Sequence, residues 1–180
     1  MWRPLLLLLL LRAAAARAET LVAGATVTAE VSGSAWTVDG TAGSPDLVLV
    51  RGQAYTFTVT GGHSLQLWGV YMPGDWGDEW PGASATSSGG TLAVPVSRTA
   101  PSVVAYRSSS NWAINGTLRV VDRVVTVTDA SPGYAIAGLS GANPDLTLHH
   151  GDEVAFAVDV TGQSFLIKTS PTTGQALFFF

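Results

Sequence analysis

Residues 44–59 read Ser44-Pro45-Asp46-Leu47-Val48-Leu49-Val50-Arg51-Gly52-Gln53-Ala54-Tyr55-Thr56-Phe57-Thr58-Val59. Tyr55, Phe57 and Val59 fall on one side of an extended chain, and Thr56 and Thr58 on the other. That period of two marks a strand with one buried face. Leu47 and Leu49 alternate in the same way. Arg51-Gly52-Gln53 separates the two strands as a tight turn, with Gly52 free to adopt positive φ. The passage then returns as Asn143-Pro144-Asp145-Leu146-Thr147-Leu148-His149-His150-Gly151, followed by Val154-Ala155-Phe156-Ala157-Val158, with Pro45 and Pro144 lying 99 residues apart. After a one-residue slip, Gly62-His63-Ser64-Leu65 matches Gly162-Gln163-Ser164-Phe165. A period this long marks a duplicated domain, because short stacking units recur every few dozen residues.

No stretch beyond the first residues shows a sustained helical period. Further strands are expected at 26–31, 36–39, 64–68, 91–94, 103–106 and 117–121, and in the second copy at 124–128, 134–137, 146–149, 153–159 and 164–168. Many short strands broken by Gly, Pro, Ser and Asn clusters predict an all-β sandwich. Residues 71–90 lack strand periodicity and are expected to form a long loop, which in a compact domain is either functional or mobile. The boundary between copies falls at Asp122-Arg123, giving one copy over 19–122 and a partial copy over 123–180. The second copy reaches Phe180 where the first would be half built. Half a sandwich leaves an apolar face and unpaired strand edges in water. The chain is therefore expected to be a fragment of a longer protein, or else to form a homodimer through the partial repeat.

Residues 1–18 read as a signal peptide: Arg3, an apolar run at Leu5–Leu11, and a small-x-small cleavage site at Ala16-Arg17-Ala18. The run is too short to span a bilayer. A secreted, extracellular protein with no membrane span in its mature chain is the expectation. The whole sequence carries 9 basic and 13 acidic residues. Three of the nine, Arg3, Arg12 and Arg17, leave with the leader, so the mature chain is strongly acidic and lacks the basic footprint of a nucleic-acid binder. There are no cysteines, so stability must come from apolar burial rather than disulfides.

The first copy resembles the cupredoxins, the plastocyanin-like copper proteins. The likeness rests on the Pro45–Val59 passage, on Gly62-His63-Ser64-Leu65, and on Ala100-Pro101-Ser102-Val103-Val104-Ala105-Tyr106 with the run that follows to Thr117. It implies a Greek-key β-sandwich over about residues 25–122, repeated in part by the second copy. It also implies that His63 stands at the first copper-histidine position. In the closing loop, where the family shows Tyr-x-Cys-x-x-His-x-x-Met-x-Gly, this chain has Tyr106-Arg107-Ser108-Ser109-Ser110-Asn111-Trp112-Ala113-Ile114-Asn115-Gly116. Ser108 thus replaces the thiolate, Asn111 the second imidazole and Ile114 the axial methionine. A type 1 copper site needs a Cys sulfur and two His nitrogens. The resemblance therefore implies the scaffold without its metal, and no cofactor is expected.

The loop carrying Tyr71, Asp75, Trp76, Asp78, Glu79 and Trp80 is the best remaining candidate for ligand binding. Flat aromatic faces beside carboxylates suit a sugar or a protein partner. The competing reading is an acidic loop whose tryptophans fold back as a lid on the sandwich. On the cupredoxin pattern Trp112 belongs to the same end of the sandwich as His63, where it would plug the vacated site or join the ligand surface. Trp36 and Trp68 alternate with polar neighbours and are expected in the core. Asn115-Gly116-Thr117 is a glycosylation sequon. No nucleophile elbow, zinc-protease, phosphate-loop or dinucleotide fingerprint is present.

The resulting expectation is a secreted non-catalytic binding or structural module without type 1 copper, with an extracellular protein or glycan as its partner. Two alternatives stand beside it. One is a copper-binding electron-transfer protein, and the other a carbohydrate-binding module built on the Trp76/Trp80 loop.

Overall fold

A computed structural model describes residues 19–21, 26–72, 75–80, 89–149, 151–161, 165, 167–168 and 176–177. The expected signal peptide, residues 1–18, lies outside them. The chain divides into two compact units: Met1–Arg123 with His150–Glu153, and Val124–His149 with Val154–Phe180.

The first unit contains β1 (Glu19–Leu21), β2 (Thr26–Ser32), β3 (Ala35–Val38), β4 (Asp46–Val50), β5 (Ala54–Thr60), β6 (Leu65–Met72), β7 (Asp75–Glu79), β8 (Thr91–Pro95), β9 (Val103–Ser108) and β10 (Asn115–Val121). They form a six-stranded sheet in the order β1-β4-β10-β9-β6-β7 and a four-stranded sheet in the order β3-β2-β5-β8. Strand β4 runs parallel to β1 and β10, β2 runs parallel to β5, and the remaining pairs are antiparallel. Consecutive strands β3, β4, β5 and β6 switch sheets at each step, which is the Greek-key sandwich of cupredoxin type.

The core follows the alternation of the sequence. Strand β5 buries Tyr55, Phe57 and Val59 and leaves its threonines half-buried. Val27, Ala29, Trp36, Val38, Leu92 and Val94 complete that sheet's inner face. Leu47, Leu49, Leu65, Leu67, Val104, Tyr106, Leu118 and Val120 come from the other sheet. Gly52 has φ 82° in the β4–β5 turn, where a side chain would be strained. The Tyr55 hydroxyl oxygen accepts the Val50 N–H at 2.9 Å, closing the β4–β5 corner from within.

In the second unit, β11 (Arg123–Asp129), β12 (Tyr134–Ile136) and β13 (Val154–Asp159) form a sheet in the order β12-β11-β13, and β14 (Ile167–Lys168) pairs with β15 (Ala176–Leu177). Phe165 packs on both Tyr134 and Phe156, with ring centroids 5.5 and 5.7 Å away. Among the described residues there is no helix, and none long and apolar enough to cross a membrane.

Two expectations are corrected. Residues 71–90 are not a continuous loop, because β6 runs on to Met72 and pairs with β7. The register shifts between Trp68 and Val70 and again between Val70 and Met72. Bulges of this kind break the period-two pattern by which a strand is read from sequence. Residues 146–149 are not a strand, although they repeat the sequence of β4. Strand β4 is held between β1 and β10, whereas 146–149 joins no sheet among the described residues.

Candidate functional site

The end of β9, the turn after it and the entry to β6 bring together the four positions at which the resemblance implies copper ligands, His63, Ser108, Asn111 and Ile114. Leu65 and Ser108 are register partners, which places His63 beside Ser108. The His63 Nδ1 and Ser108 Oγ lie 2.9 Å apart, and the Ser110 Oγ is 3.2 Å from the same nitrogen. Ser108 is fully buried. Its Oγ accepts the Asn111 backbone N–H at 3.2 Å and lies 3.1 Å from the Ser110 Oγ. A buried hydroxyl costs free energy unless bonded, and here it is bonded on several sides.

Asn111 turns its side chain toward its own loop. Its Oδ1 accepts the Ala113 N–H at 3.1 Å, an Asx-type turn. Ile114 is buried, and its carbonyl accepts both the Ser108 N–H at 2.9 Å and the Trp36 Nε1–H at 3.3 Å. The donor set at these four positions is one imidazole, one hydroxyl, one amide engaged in its turn, and an aliphatic chain. Among the described residues no three His, Cys, Asp or Glu side chains are grouped to hold a metal ion. The set does not fit type 1 copper, which requires a thiolate and a second imidazole.

Trp112 does not plug this position: it is 59% exposed, whereas Ser108 and Ile114 are buried. Its ring instead stacks on Arg107, whose guanidinium carbon lies 4.3 Å from the Trp112 centroid and 4.1 Å from that of Trp68. Trp68 is accordingly not a core residue. It is half-buried on the outer face of its sheet, with its Nε1–H directed at the Gln66 Oε1, 3.4 Å away. Arg107 is only 2% exposed. A guanidinium so buried is stabilised by the negative faces of the two indoles. The sequence does not announce this cluster, because its three members come from β6, β9 and the following turn. Ser110 was also missed, its one signal being the Ser108-Ser109-Ser110 run.

Trp80 packs into the core and is 5% exposed. It contributes to a shallow groove with Gln53, Pro95, Val96, Ser97 and Pro101, none of them ionisable. So little indole is exposed that Trp80 offers no stacking face, which corrects its place in the expected ligand loop. The backbone of Asp75–Glu79 is that of β7. The side chains of Tyr71, Asp75, Trp76, Asp78 and Glu79 lie outside the described residues. Asn115 opens β10, and its Nδ2 donates to the Trp112 and Ala113 carbonyls at 3.0 and 3.3 Å.

At the β4–β5 turn, Arg51 joins several segments of the first unit. It bonds the Asp122 Oδ1 at 3.1 Å, the Glu153 Oε2 at 2.8 Å, the Ser102 Oγ at 3.1 Å and the Ala100 carbonyl at 3.2 Å. Burial works to lower its pKa, but the bonds to Glu153 and Asp122 outweigh it and raise the value.

No protein-family model and no curated protein matches the sequence. Solved cupredoxins do match in structure. Rusticyanin from Thiobacillus ferrooxidans is 16% identical with a TM-score of 0.39, over 57% of this chain and 81% of its own. Auracyanin from Roseiflexus castenholzii is 15% identical with a TM-score of 0.37, over 54% of this chain and 97% of its own. A purple cupredoxin from Nitrosopumilus maritimus is 15% identical with a TM-score of 0.37, over 54% of this chain and 99% of its own. The likeness concerns the outline of the strands, and nothing about ligand or activity follows from it. The fold is cupredoxin-like, as the strand order and the two-sheet core define it.

Proposed function

We propose that the chain is an exported, non-catalytic cupredoxin-like module that acts by binding or as an extracellular structural unit, without type 1 copper. On this reading residues 19–122 form a cupredoxin-like sandwich, and 123–180 repeat part of its sequence. The observation that carries this reading is Ser108. At the position where the resemblance puts a thiolate stands a buried hydroxyl, already bonded to the His63 Nδ1 and the Asn111 N–H. Hydroxyl and amide groups bind cupric ion weakly beside a thiolate and two imidazoles. The composition of residues 1–18 supports export. The absence of any cysteine in the sequence weighs against the copper electron-transfer alternative. The buried Trp80 weighs against a sugar platform on the Trp76/Trp80 loop. Exposed Leu139, Leu148 and Val158 in the second unit favour self-association through that unit, which sedimentation would reveal as a concentration-dependent dimer.

The test is metal analysis of protein purified without chelators, then equilibrated with cupric ion and dialysed. The expected product is colourless and retains far less than one copper per chain. Stoichiometric copper surviving dialysis would overturn the proposal.

A further inference from the structure

We propose that Asn115 carries an N-linked glycan whose first sugar lies on the exposed indole of Trp112. The inference rests on the export reading above, since the modification requires passage through a glycosylating compartment.

The sequon Asn115-Gly116-Thr117 follows Trp112 by three residues, and the fold makes that spacing a contact. The turn before β10 is tied down by the Asn111 Oδ1 accepting the Ala113 N–H, and the Asn115 Nδ2 donates to the Trp112 carbonyl at 3.0 Å. Asn115 and Arg107 are register partners on adjacent antiparallel strands, so their side chains leave the same face of the sheet. The Trp112 ring stacks on that same Arg107, 4.3 Å from centroid to guanidinium carbon. Indole and acceptor amide therefore share one face. Arg107 covers one side of the indole. The residue nevertheless remains 59% exposed, more than any other large apolar residue described.

The exposed face of the Trp112 indole is open to a neighbouring group. A hexosamine fits: its C–H bonds pack on the aromatic face while its hydroxyls stay solvated. Thr117 lies two residues along β10 and so projects to the same side as Asn115. Gly116 between them is fixed by Tyr106, because a Cβ there would fall within the Tyr106 ring.

The chemistry balances with a lipid-diphosphate-linked oligosaccharide as the donor. The Asn115 Nδ2 bonds to the anomeric carbon, the bond from that carbon to the diphosphate oxygen breaks, and the lipid diphosphate leaves with the electron pair. One Nδ2 proton passes to the transferase's base. The remaining N–H still serves one of the two carbonyls that Asn115 bonds now.

The experiment uses the full chain secreted from an N-glycosylating eukaryotic cell line, once with its own residues 1–18 and once with these replaced by a leader of known export. Intact mass before and after glycan removal should show one glycan, lost in Thr117→Ala. After trimming to the first sugar, its N-acetyl methyl resonance should be shifted upfield by the indole ring current, and the shift should vanish in Trp112→Ala. The glycan should raise the thermal midpoint of the parent chain and not that of Trp112→Ala. Secreted protein without sugar from both forms would overturn the proposal. So would a methyl position and a stability gain that are unchanged in Trp112→Ala. Secretion from the replaced leader alone would overturn the export reading, while the same sugar, resonance and stability readouts on that form still decide this one.

Discussion

The His63 Nδ1 and the Ser108 Oγ lie 2.9 Å apart, although the residues are separated by 45 positions in sequence. The fold thus holds an imidazole nitrogen against the side chain at the position where the resemblance implies a metal-binding thiolate. Placing Cys at 108, His at 111 and Met at 114 supplies the donors of a type 1 site. The triple variant Ser108→Cys/Asn111→His/Ile114→Met is expected to bind cupric ion with the intense visible absorption of a copper–thiolate bond. Ser108→Cys alone, with a single imidazole beside it, is expected to lose copper on dialysis. A folded triple variant that stays colourless would show that the backbone has moved away from metal-binding geometry.

Gly116 is fixed by packing. The Tyr106 hydroxyl donates to the Pro45 carbonyl at 2.6 Å, which pins the ring against the Gly116 backbone. Gly116→Ala is expected to cost about 1–3 kcal/mol, the usual penalty of overpacking, measured by urea denaturation. Combined with Tyr106→Leu, it should cost less than the sum of the two single changes, because the smaller side chain vacates the contested space. Strict additivity would place the strain elsewhere.

The alternation at Tyr55–Val59 made the core face of β5 legible, and the recurrence at 143–158 was legible as a repeat of sequence. The first is a local pattern that a period of two exposes, and the second is a recurrence of residue types 99 positions apart. What stayed hidden depended on neighbours distant in sequence. The pairing of β7 with β6 passes through bulges, so its residues show no alternation. The apolar pattern at 146–149 matches β4, yet a strand also needs a partner to hydrogen-bond, and no pattern within the segment reports one. Arg107 reads as an ordinary polar residue near a strand end. Its burial against Trp68 and Trp112 arises only when β6, β9 and the following turn meet. The sequence shows which residue types stand at 63, 108, 111 and 114, whereas the network among His63, Ser108 and Ser110 is a matter of geometry.

Trp36 links the two sheets, fully buried, with its Nε1–H donated to the Ile114 carbonyl at 3.3 Å. Trp36→Ala is expected to cost about 3–5 kcal/mol through lost burial and the void left behind. Trp36→Phe should cost markedly less. The Ile114 carbonyl keeps the Ser108 N–H, so no buried acceptor is left without a donor in that variant. Equal losses for the two variants would assign the stabilisation to the indole hydrogen bond instead of to packing. Equilibrium unfolding in urea distinguishes them.

Asp122 gives the first unit a dependence on acid. The backbone N–H of Glu153 donates to its Oδ2 at 2.7 Å and does most to lower its pKa; burial opposes the shift, and the Arg51 guanidinium adds to it. The folded carboxyl therefore ionises at lower pH than it does in the unfolded chain, where the value is about 3.9. Its contribution to stability is present above that unfolded value and is lost as the pH falls through the lower folded one. Thermal unfolding midpoints should accordingly drop between about pH 5 and pH 2. Asp122→Asn should unfold at a lower temperature than the parent at neutral pH, and the two should converge in strong acid. A gap of constant size across the range would mean that Asp122 acts through its shape rather than its charge.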